Sequence, residues 1–307
     1  MIKNMKKVLL TGATSLIGVS LVDELLKNGY AVVGVVRPGS KNLARLSTHQ
    51  NLHIVECDLH DMRSLTDSLP HDFDICFHLA WTDTGKGRNK DVYGQLKNVK
   101  LTLDTVDLSA ALGCSLFVGA GSQAEFGPKE TGPIGPLAVE KPNTAYGMCK
   151  LAAGNLAMLR AKDLGLRCIW PRIFSIFGQN DKSTSLINYT LGCLKEGRKP
   201  SLSASTQIWD YLYCSDAAKA LVLIGEKGLD GKKYCLGSGI GRPLYEYINE
   251  IKELIDPSAD IGFGEVPYNE YSLRYLVADI AELMDDTGFT PEYTFELGLK
   301  DMTANME

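Results

Sequence analysis

An α/β fold built on a doubly wound parallel sheet is predicted by three features of the sequence. Short apolar runs alternate with helical patterns through the first half of the chain. The runs are unbroken, as in Ala31–Val36, so both faces of each strand should be buried, which is the signature of a parallel sheet covered by helices. A glycine-bearing turn, Thr11–Gly18, separates the first apolar run from the first helical pattern.

The elements follow in order. Val8–Leu10 is the first predicted strand and Gly18–Lys27 the first helix. Ala31–Val36, apolar and β-branched, is the second strand, followed by His53–Glu56 and Ile75–His78. A long helix is expected over about Lys90–Leu112, then a fifth strand at Leu116–Val118. Thr144–Asp163, rich in Ala and Leu, reads as a helix capped by Asn143 or Thr144, with Pro142 just before it. Leu166–Trp170 is the sixth strand. Beyond Pro171, Gly and Pro become frequent and strands shorten. Candidate helices there are Thr184–Lys195, Ser215–Gly225, Leu244–Ile255 and Phe295–Met302. This change predicts a smaller lobe, woven from several segments, that closes over the carboxyl ends of the strands. Residues 1–170 are expected to form the sheet domain, with return segments near 207–235, and residues 171–206 and 236–307 the substrate-binding lobe.

A chain of 307 residues suits one large α/β unit or two intimately joined lobes. Its 45% hydrophobic and 22% charged content is ordinary for a globular protein. A net charge of −5 gives no reason to expect nucleic acid or a membrane as partner, so a phosphate-bearing ligand must be held by local groups. No segment approaches the roughly 20 apolar residues of a membrane span. Met1–Lys7 runs directly into Val8-Leu9-Leu10, leaving no room for a signal peptide. The eight cysteines are scattered, without a C-x-x-C, and several lie inside apolar runs such as Ile75-Cys76-Phe77. They read as buried small hydrophobes in a reducing, cytoplasmic setting, with neither a disulfide framework nor a metal site expected.

The turn Thr11-Gly12-Ala13-Thr14-Ser15-Leu16-Ile17-Gly18 sits where a dinucleotide phosphate loop belongs. Gly12 permits the tight turn and Gly18 lets the helix approach the strand. Thr14, Ser15, Leu16 and Ile17 surround the helix N-terminus, whose free N–H groups and positive dipole suit a pyrophosphate. Ser15 stands where the usual middle glycine would be. The second strand ends in Arg37, with Ser40 and Lys41 nearby and no acid to accept from a ribose 2′-OH. Arg37 and Ser40 suit a 2′-phosphate instead, favouring NADP(H) while leaving NAD possible. Asp58 and Leu59, after the third strand, are placed to cover the adenine. The bland alternatives are a plain βα turn and a solvated basic loop.

Tyr146 and Lys150 stand four apart on a predicted helix and so share a face. A free Tyr, with a pKa near 10, is a poor acid–base group at neutral pH. An adjacent ammonium and an oxidised nicotinamide both favour its phenolate. Ser122, after the fifth strand, is placed to hydrogen-bond the substrate oxygen that gains or loses the proton. The pair alone says little, since Y-x-x-x-K is a common helix-surface pattern. Its weight comes from order: phosphate loop, then Ser122, then Tyr146 and Lys150.

With these residues in place the sequence resembles, over nearly its whole length, the extended short-chain dehydrogenase/reductase family, of the nucleotide-sugar epimerase/dehydratase type. The T-G-x-x-G-x-x-G loop is Thr11–Gly18 with Ser15 as the exception, and H-x-A is His78-Leu79-Ala80. N-V-x-G-T appears as Asn98–Thr102 with Leu101 for Gly, and the Ser-rich segment before Y-G as Gly121–Gly127. P-R-x-x-N-V-Y-G is Pro171–Gly178 with Ser175 for a substrate-contacting Asn, and Q-x-R-D-[FY] is Gln207–Tyr211 with Trp209 for Arg.

The resemblance implies a Rossmann sheet and a homodimer joined through the two long helices. Leu151, Leu156 and Leu159 on the second of these give it more apolar surface than one sheet face needs. It also implies Leu79, Ala80, Asn98, Pro171 and Ile173 near the cofactor, and Trp81, Gln123, Glu125, Ser175, Trp209 and Arg274 near a nucleotide-linked sugar. Gln123-Ala124 replaces the Asp-Glu pair by which the family's 4,6-dehydratases eliminate water, which argues against that reaction. Trp209 removes a cation that often holds the diphosphate. Either Arg274 or Lys182 compensates, or the indole stacks on a base or sugar, or it only packs the lobe. Three readings follow. The first is an NADP(H)-dependent reductase of a nucleoside-diphosphate-linked 4-keto-6-deoxy sugar, favoured by Arg37. The others are an NAD(P)-dependent nucleotide-sugar epimerase and a cofactor-binding regulator without chemistry, the last disfavoured by the presence of Tyr146, Lys150 and Ser122.

Overall fold

The computed structural model of the chain describes residues 5–85 and 87–304; Met1–Asn4, part of the N-terminal stretch read above, lie outside the described residues. The first half runs β1 (Lys7–Thr11), α1 (Leu16–Lys27), β2 (Ala31–Val36), β3 (Leu52–Glu56), β4 (Ile75–His78), α2 (Val92–Ala111), β5 (Leu116–Gly119), β6 (Gly121–Ser122), α3 (Ala145–Asp163) and β7 (Arg167–Ile169). The second half continues through β8 (Arg172–Ile173), β9 (Ser175–Phe177), α4 (Leu186–Lys195), β10 (Ile208–Trp209), β11 (Tyr211–Tyr213), α5 (Cys214–Lys227), β12 (Cys235–Leu236), β13 (Arg242–Pro243), α6 (Leu244–Ile255), β14 (Tyr275–Leu276), α7 (Ala281–Thr287) and α8 (Phe295–Ala304).

Six strands form one parallel sheet in the order β3-β2-β1-β4-β5-β7. The pleat explains the unbroken apolar runs. Val8, Leu10, Ile75, Phe77, Leu116, Val118 and Ile169 join a core with α1 and α5. The alternate residues Leu9, Cys76, Phe117 and Cys168 join a second core with α2 and α3. Strand order reverses between β1 and β4, and that switch point leaves a crevice beyond the carboxyl ends of the strands.

Trp170 sets how closely α3 approaches the sheet. It is fully buried, and a Cβ on Gly119 or Gly154 would come within 2.2 or 2.6 Å of its indole. Only glycine at these positions lets the helix bearing Tyr146 and Lys150 lie against the strand that leads to Ser122. The chain also leaves the main sheet earlier than the predicted strand Leu166–Trp170 implies. Trp170 N–H donates to Lys232 at 3.0 Å, and β8 then pairs with β6 and β12 in a small parallel sheet.

The later segments build a separate cluster. Phe177, Tyr213, Tyr247 and Phe295 pack edge and face against one another beneath α4, α6 and α8. Strand β10 lies between β13, antiparallel, and β14, parallel. Helix α7 was not visible in the sequence pattern because seven residues are too few to show a period. Its Leu283, with Phe289, packs into the first sheet core. All eight cysteines are buried and free. Among the described residues no helix is long and apolar enough to cross a membrane.

Candidate active site

A groove of about 770 Å³ crosses the carboxyl ends of β1, β2, β4 and β5. At its centre lies the turn after β1. Gly12 has φ +76°, and a Cβ there would come 2.8 Å from the Ala80 nitrogen, so the turn rests directly on the chain leaving β4. A Cβ on Gly18 would come 2.1 Å from the Gly12 oxygen, so the first turn of α1 rests on the same loop. Ser15 caps α1, accepting from Gly18 N–H at 3.1 Å, which starts the helix two residues before the predicted Gly18. Thr14, Ser15, Leu16 and Ile17 line the groove around that helix end, beside Leu79 and Ala80. A crowded glycine cradle and a capped helix N-terminus facing a groove are what a dinucleotide pyrophosphate requires.

Toward the outer strands the lining is Val35, Val36, Arg37, Asn42, Arg45, Cys57 and Leu59. Arg37 is exposed and makes no ion pair among the described residues. Ser40 does not line the groove; its N–H donates to the Arg37 carbonyl at 3.1 Å and shapes the turn. Asp58 stands between two lining residues, but its carboxylate caps the following turn by accepting from His60 N–H at 2.9 Å. Sequence reasoning missed Arg45. Its guanidinium reaches the Thr14 and Asn180 carbonyls, both at 3.3 Å, and so ties the phosphate loop to the lobe side of the groove. A single Arg in an irregular turn carries no periodic signal that would have marked it.

Toward the lobe, Ser122, Tyr146 and Lys150 meet in the groove. Thr144 caps α3 by accepting from Gly147 N–H at 3.0 Å, which fixes Tyr146 in the first turn and Lys150 in the second. Lys150 is 4% exposed. Its ammonium donates to the Ala120 carbonyl at 2.7 Å and lies 3.7 Å from the Trp81 ring centre. Burial pushes Lys150 down to about 7, with Arg88 adding to the effect and Glu125 opposing it. Burial also pushes the half-buried Tyr146 phenol up, against the pull of Arg88 and the Ser122 hydroxyl. Trp81 is fixed in turn: its N–H donates to Gln95 at 2.9 Å, and Gln95 donates to the Asp83 carbonyl at 2.9 Å.

The remaining expected residues divide. Gln123, Ile173 and Ser175 line the groove. Glu125, expected at the substrate, lies 1% exposed beneath Ser122 and is not a lining residue. Its carboxylate accepts from Ser122 N–H at 2.8 Å, Trp170 N–H at 3.0 Å and Arg172 Nε at 2.7 Å. Those three donors turn the carboxylate to the interior rather than to the groove. Asn98 is also buried; its side chain accepts from Thr82 N–H at 2.8 Å and so holds the loop after β4. Pro171 lies behind the groove, where its carbonyl accepts from Gly121 N–H at 2.8 Å. Trp209 stands behind Ser175, and Arg274 is exposed on the lobe with its guanidinium 4.0 Å from the Tyr268 ring centre. Lys182 does line the groove, donating to the Thr84 carbonyl at 3.1 Å. Among the lining residues, Arg88, Asn42 and Asn180 were not foreseen.

A model of the NAD dependent epimerase/dehydratase family matches residues 8–237, a span that includes both the phosphate loop and the Tyr146–Lys150 helix. The chain belongs to this family. Members of the epimerase/dehydratase family are enzymes, and the relatives act in nucleotide-sugar chemistry. The chain is 25% identical over 305 residues to a CDP-abequose synthase of Salmonella muenchen, covering 98% of each. A solved UDP-N-acetylglucosamine 4-epimerase from Methanobrevibacter ruminantium M1, in complex with UDP-N-acetylmuramic acid, matches with TM-score 0.87 at 20% identity, over 99% of this chain and 100% of that one. A UDP-glucuronic acid 4-epimerase from Bacillus cereus, in complex with UDP-glucuronic acid and NAD, matches with TM-score 0.84 at 22% identity, over 98% and 100%. At these identities the two solved structures establish the shared fold.

Proposed function

We propose that the chain is an NADP(H)-dependent reductase of a nucleoside-diphosphate-linked 4-keto-6-deoxy sugar, with Tyr146 as general acid. The observation that carries this reading is the convergence of Tyr146, Lys150 and Ser122 in one groove whose far end presents Arg37, which makes no ion pair among the described residues. The likeness to a CDP-abequose synthase over its full length supports a nucleotide-linked sugar as substrate.

Gly12, Thr14, Ser15, Leu16 and Ile17 would hold the pyrophosphate, Arg37 the 2′-phosphate, and Leu59 and Ala80 the flanking rings. A cofactor held there would supply the hydride for the carbonyl carbon. Tyr146 gives its proton to the carbonyl oxygen as negative charge grows there, and Ser122 donates a hydrogen bond to the same oxygen. Lys150 stabilises the phenolate that remains, and solvent returns the proton. Trp81 covers the ammonium from one side, which strengthens its field by keeping water away. Gln123 and Ser175, which also line the groove, would hold sugar or phosphate oxygens. Gln123 cannot exchange protons, which disfavours elimination of water.

The substrate-binding lobe is assigned to 171–206 and 236–307. On α2, Val92, Tyr93 and Leu96 are exposed, and on α3 Met148, Leu156 and Leu159. Such an apolar stripe on paired helices supports a homodimer through this face, which a monomer in sedimentation at micromolar concentration would rule out. A cytoplasmic location completes the reading; recovery of the tagged chain with an envelope fraction would contradict it.

The test is NADPH consumption, read by its near-ultraviolet absorbance, with a nucleoside-diphosphate-4-keto-6-deoxy sugar. Stoichiometric loss of NADPH with formation of the 4-hydroxy sugar is expected. Isomerisation of a nucleotide sugar without net NADPH loss would establish an epimerase instead, and cofactor binding without turnover a regulator.

A further inference from the structure

The loop between β4 and α2 is held from four sides. Thr82 N–H donates to Asn98 at 2.8 Å, and Lys182 donates to the Thr84 carbonyl at 3.1 Å. Lys90 pairs with Glu270 at 3.0 Å. The Asn89 carbonyl accepts from Ala145 N–H at 2.9 Å, so the residue after Arg88 is bonded to the residue before Tyr146. These ties set the Arg88 guanidinium carbon 4.6 Å from the Tyr146 ring centre. Lys150 is farther from the same ring, at 5.9 Å, and its ammonium is turned to the Ala120 carbonyl and the Trp81 face. Arg88 lines the groove, is exposed, and makes no ion pair among the described residues.

We propose that Arg88 is a positioning residue that acts through Tyr146, holding a permanent cation against the phenol ring and making its proton easier to give up. This rests on the reading of Tyr146 as the acid–base group. A guanidinium keeps its charge at every working pH. Lys150 does not, because burial brings its titration to about 7. Above that pH, in the cofactor-free protein, Arg88 supplies the positive charge that Lys150 has lost. Among the described residues, the other charged or hydrogen-bonding groups that act on Tyr146 are Ser122, Lys150 and Glu125. Of these Glu125 opposes the phenolate, but Arg172, 2.7 Å from its carboxylate, offsets that charge.

The prediction can be read without substrate. In protein labelled with fluorotyrosine, which titrates lower than tyrosine, the Tyr146 fluorine resonance is identified by its disappearance in Tyr146→Phe. Its titration midpoint is then compared in wild type, Arg88→Gln and Arg88→Lys. Arg88→Gln should raise the midpoint by about one pH unit, at the low end of what a neighbouring opposite charge produces, because Arg88 is exposed. Arg88→Lys should restore most of the shift. Equal midpoints in wild type and Arg88→Gln would overturn the proposal, and so would a Lys variant as displaced as the Gln variant, since stacking rather than charge would then be responsible. Normal turnover by Tyr146→Phe would instead sink the acid–base reading while leaving the Arg88 shift standing.

Discussion

Trp209 donates its indole N–H to the Ser175 hydroxyl oxygen at 2.8 Å, so two positions at which the chain departs from its family's pattern satisfy one another. With its oxygen accepting from Trp209, the Ser175 hydroxyl is left to donate its own hydrogen into the groove, where an oxygen of the substrate is its natural acceptor. Trp209→Phe keeps an aromatic ring, smaller than the indole, and removes the N–H donor, which frees the Ser175 hydroxyl to turn. It should raise KM severalfold, about 1 kcal/mol, with a smaller effect on kcat. Ser175→Ala should do much the same, and the double variant should be little worse than either. Additive losses in steady-state kinetics would mean that the two residues act independently.

The buried pair beneath Ser122 is expected to dominate local stability. Arg172 and Glu125 are 0% and 1% exposed, and Glu125 also fixes the Ser122 backbone. Glu125→Gln leaves the buried Arg172 guanidinium with part-exposed Glu140 as its one carboxylate partner among the described residues and should cost about 1.5–3 kcal/mol in urea unfolding. Replacing both residues with apolar side chains of similar volume should cost less than the single change. A single variant within 1 kcal/mol of wild type, on the order of a surface substitution, would contradict this.

Lys150 makes a prediction about pH and stability. Its folded value, about 7, lies below the ordinary 10.5, so between these limits the unfolded chain binds the extra proton. Stability therefore rises with pH across that window, by up to about 1.4 kcal/mol per unit, and is lowered by the buried charge below it. Lys150→Met lacks this proton. The stability of wild type relative to Lys150→Met, measured by urea unfolding of the cofactor-free proteins, should therefore increase from neutral to alkaline pH. A difference independent of pH would show that Lys150 keeps its ordinary titration.

Arg37 bears on cofactor choice. Arg37→Ala should raise KM for NADPH much more than for NADH, because only the former carries the 2′-phosphate. Equal changes in the two constants would reduce Arg37 to a surface charge.

The sheet was legible because its strands obey one rule. Residues such as Leu9 and Leu10 go to opposite cores, so the runs carry no polar positions. Gly12 and Gly18 were legible because backbone crowding leaves glycine as the one residue that fits. Arg45, Arg88 and Asn180 were not, because each reaches the groove from an irregular segment whose path depends on distant partners, as Asn89 depends on Ala145. Glu125 was misplaced for a related reason. Ser122 and Gln123, three and two positions before it, line the groove, but Arg172, Trp170 and the Ser122 backbone draw its carboxylate inward. Family pattern marked Trp209 and Ser175 as separate substitutions; only the fold pairs them.

The central claim is that Tyr146 delivers the proton, and Tyr146→Phe tests it by removing one oxygen while keeping the ring that packs against Trp81 and Arg88. Melting temperature and NADPH affinity should stay close to wild type. Single-turnover reduction of a nucleoside-diphosphate-4-keto-6-deoxy sugar by bound NADPH should slow by roughly 10²–10⁴. A folded Tyr146→Phe protein that reduces the sugar at near wild-type rate would contradict the account.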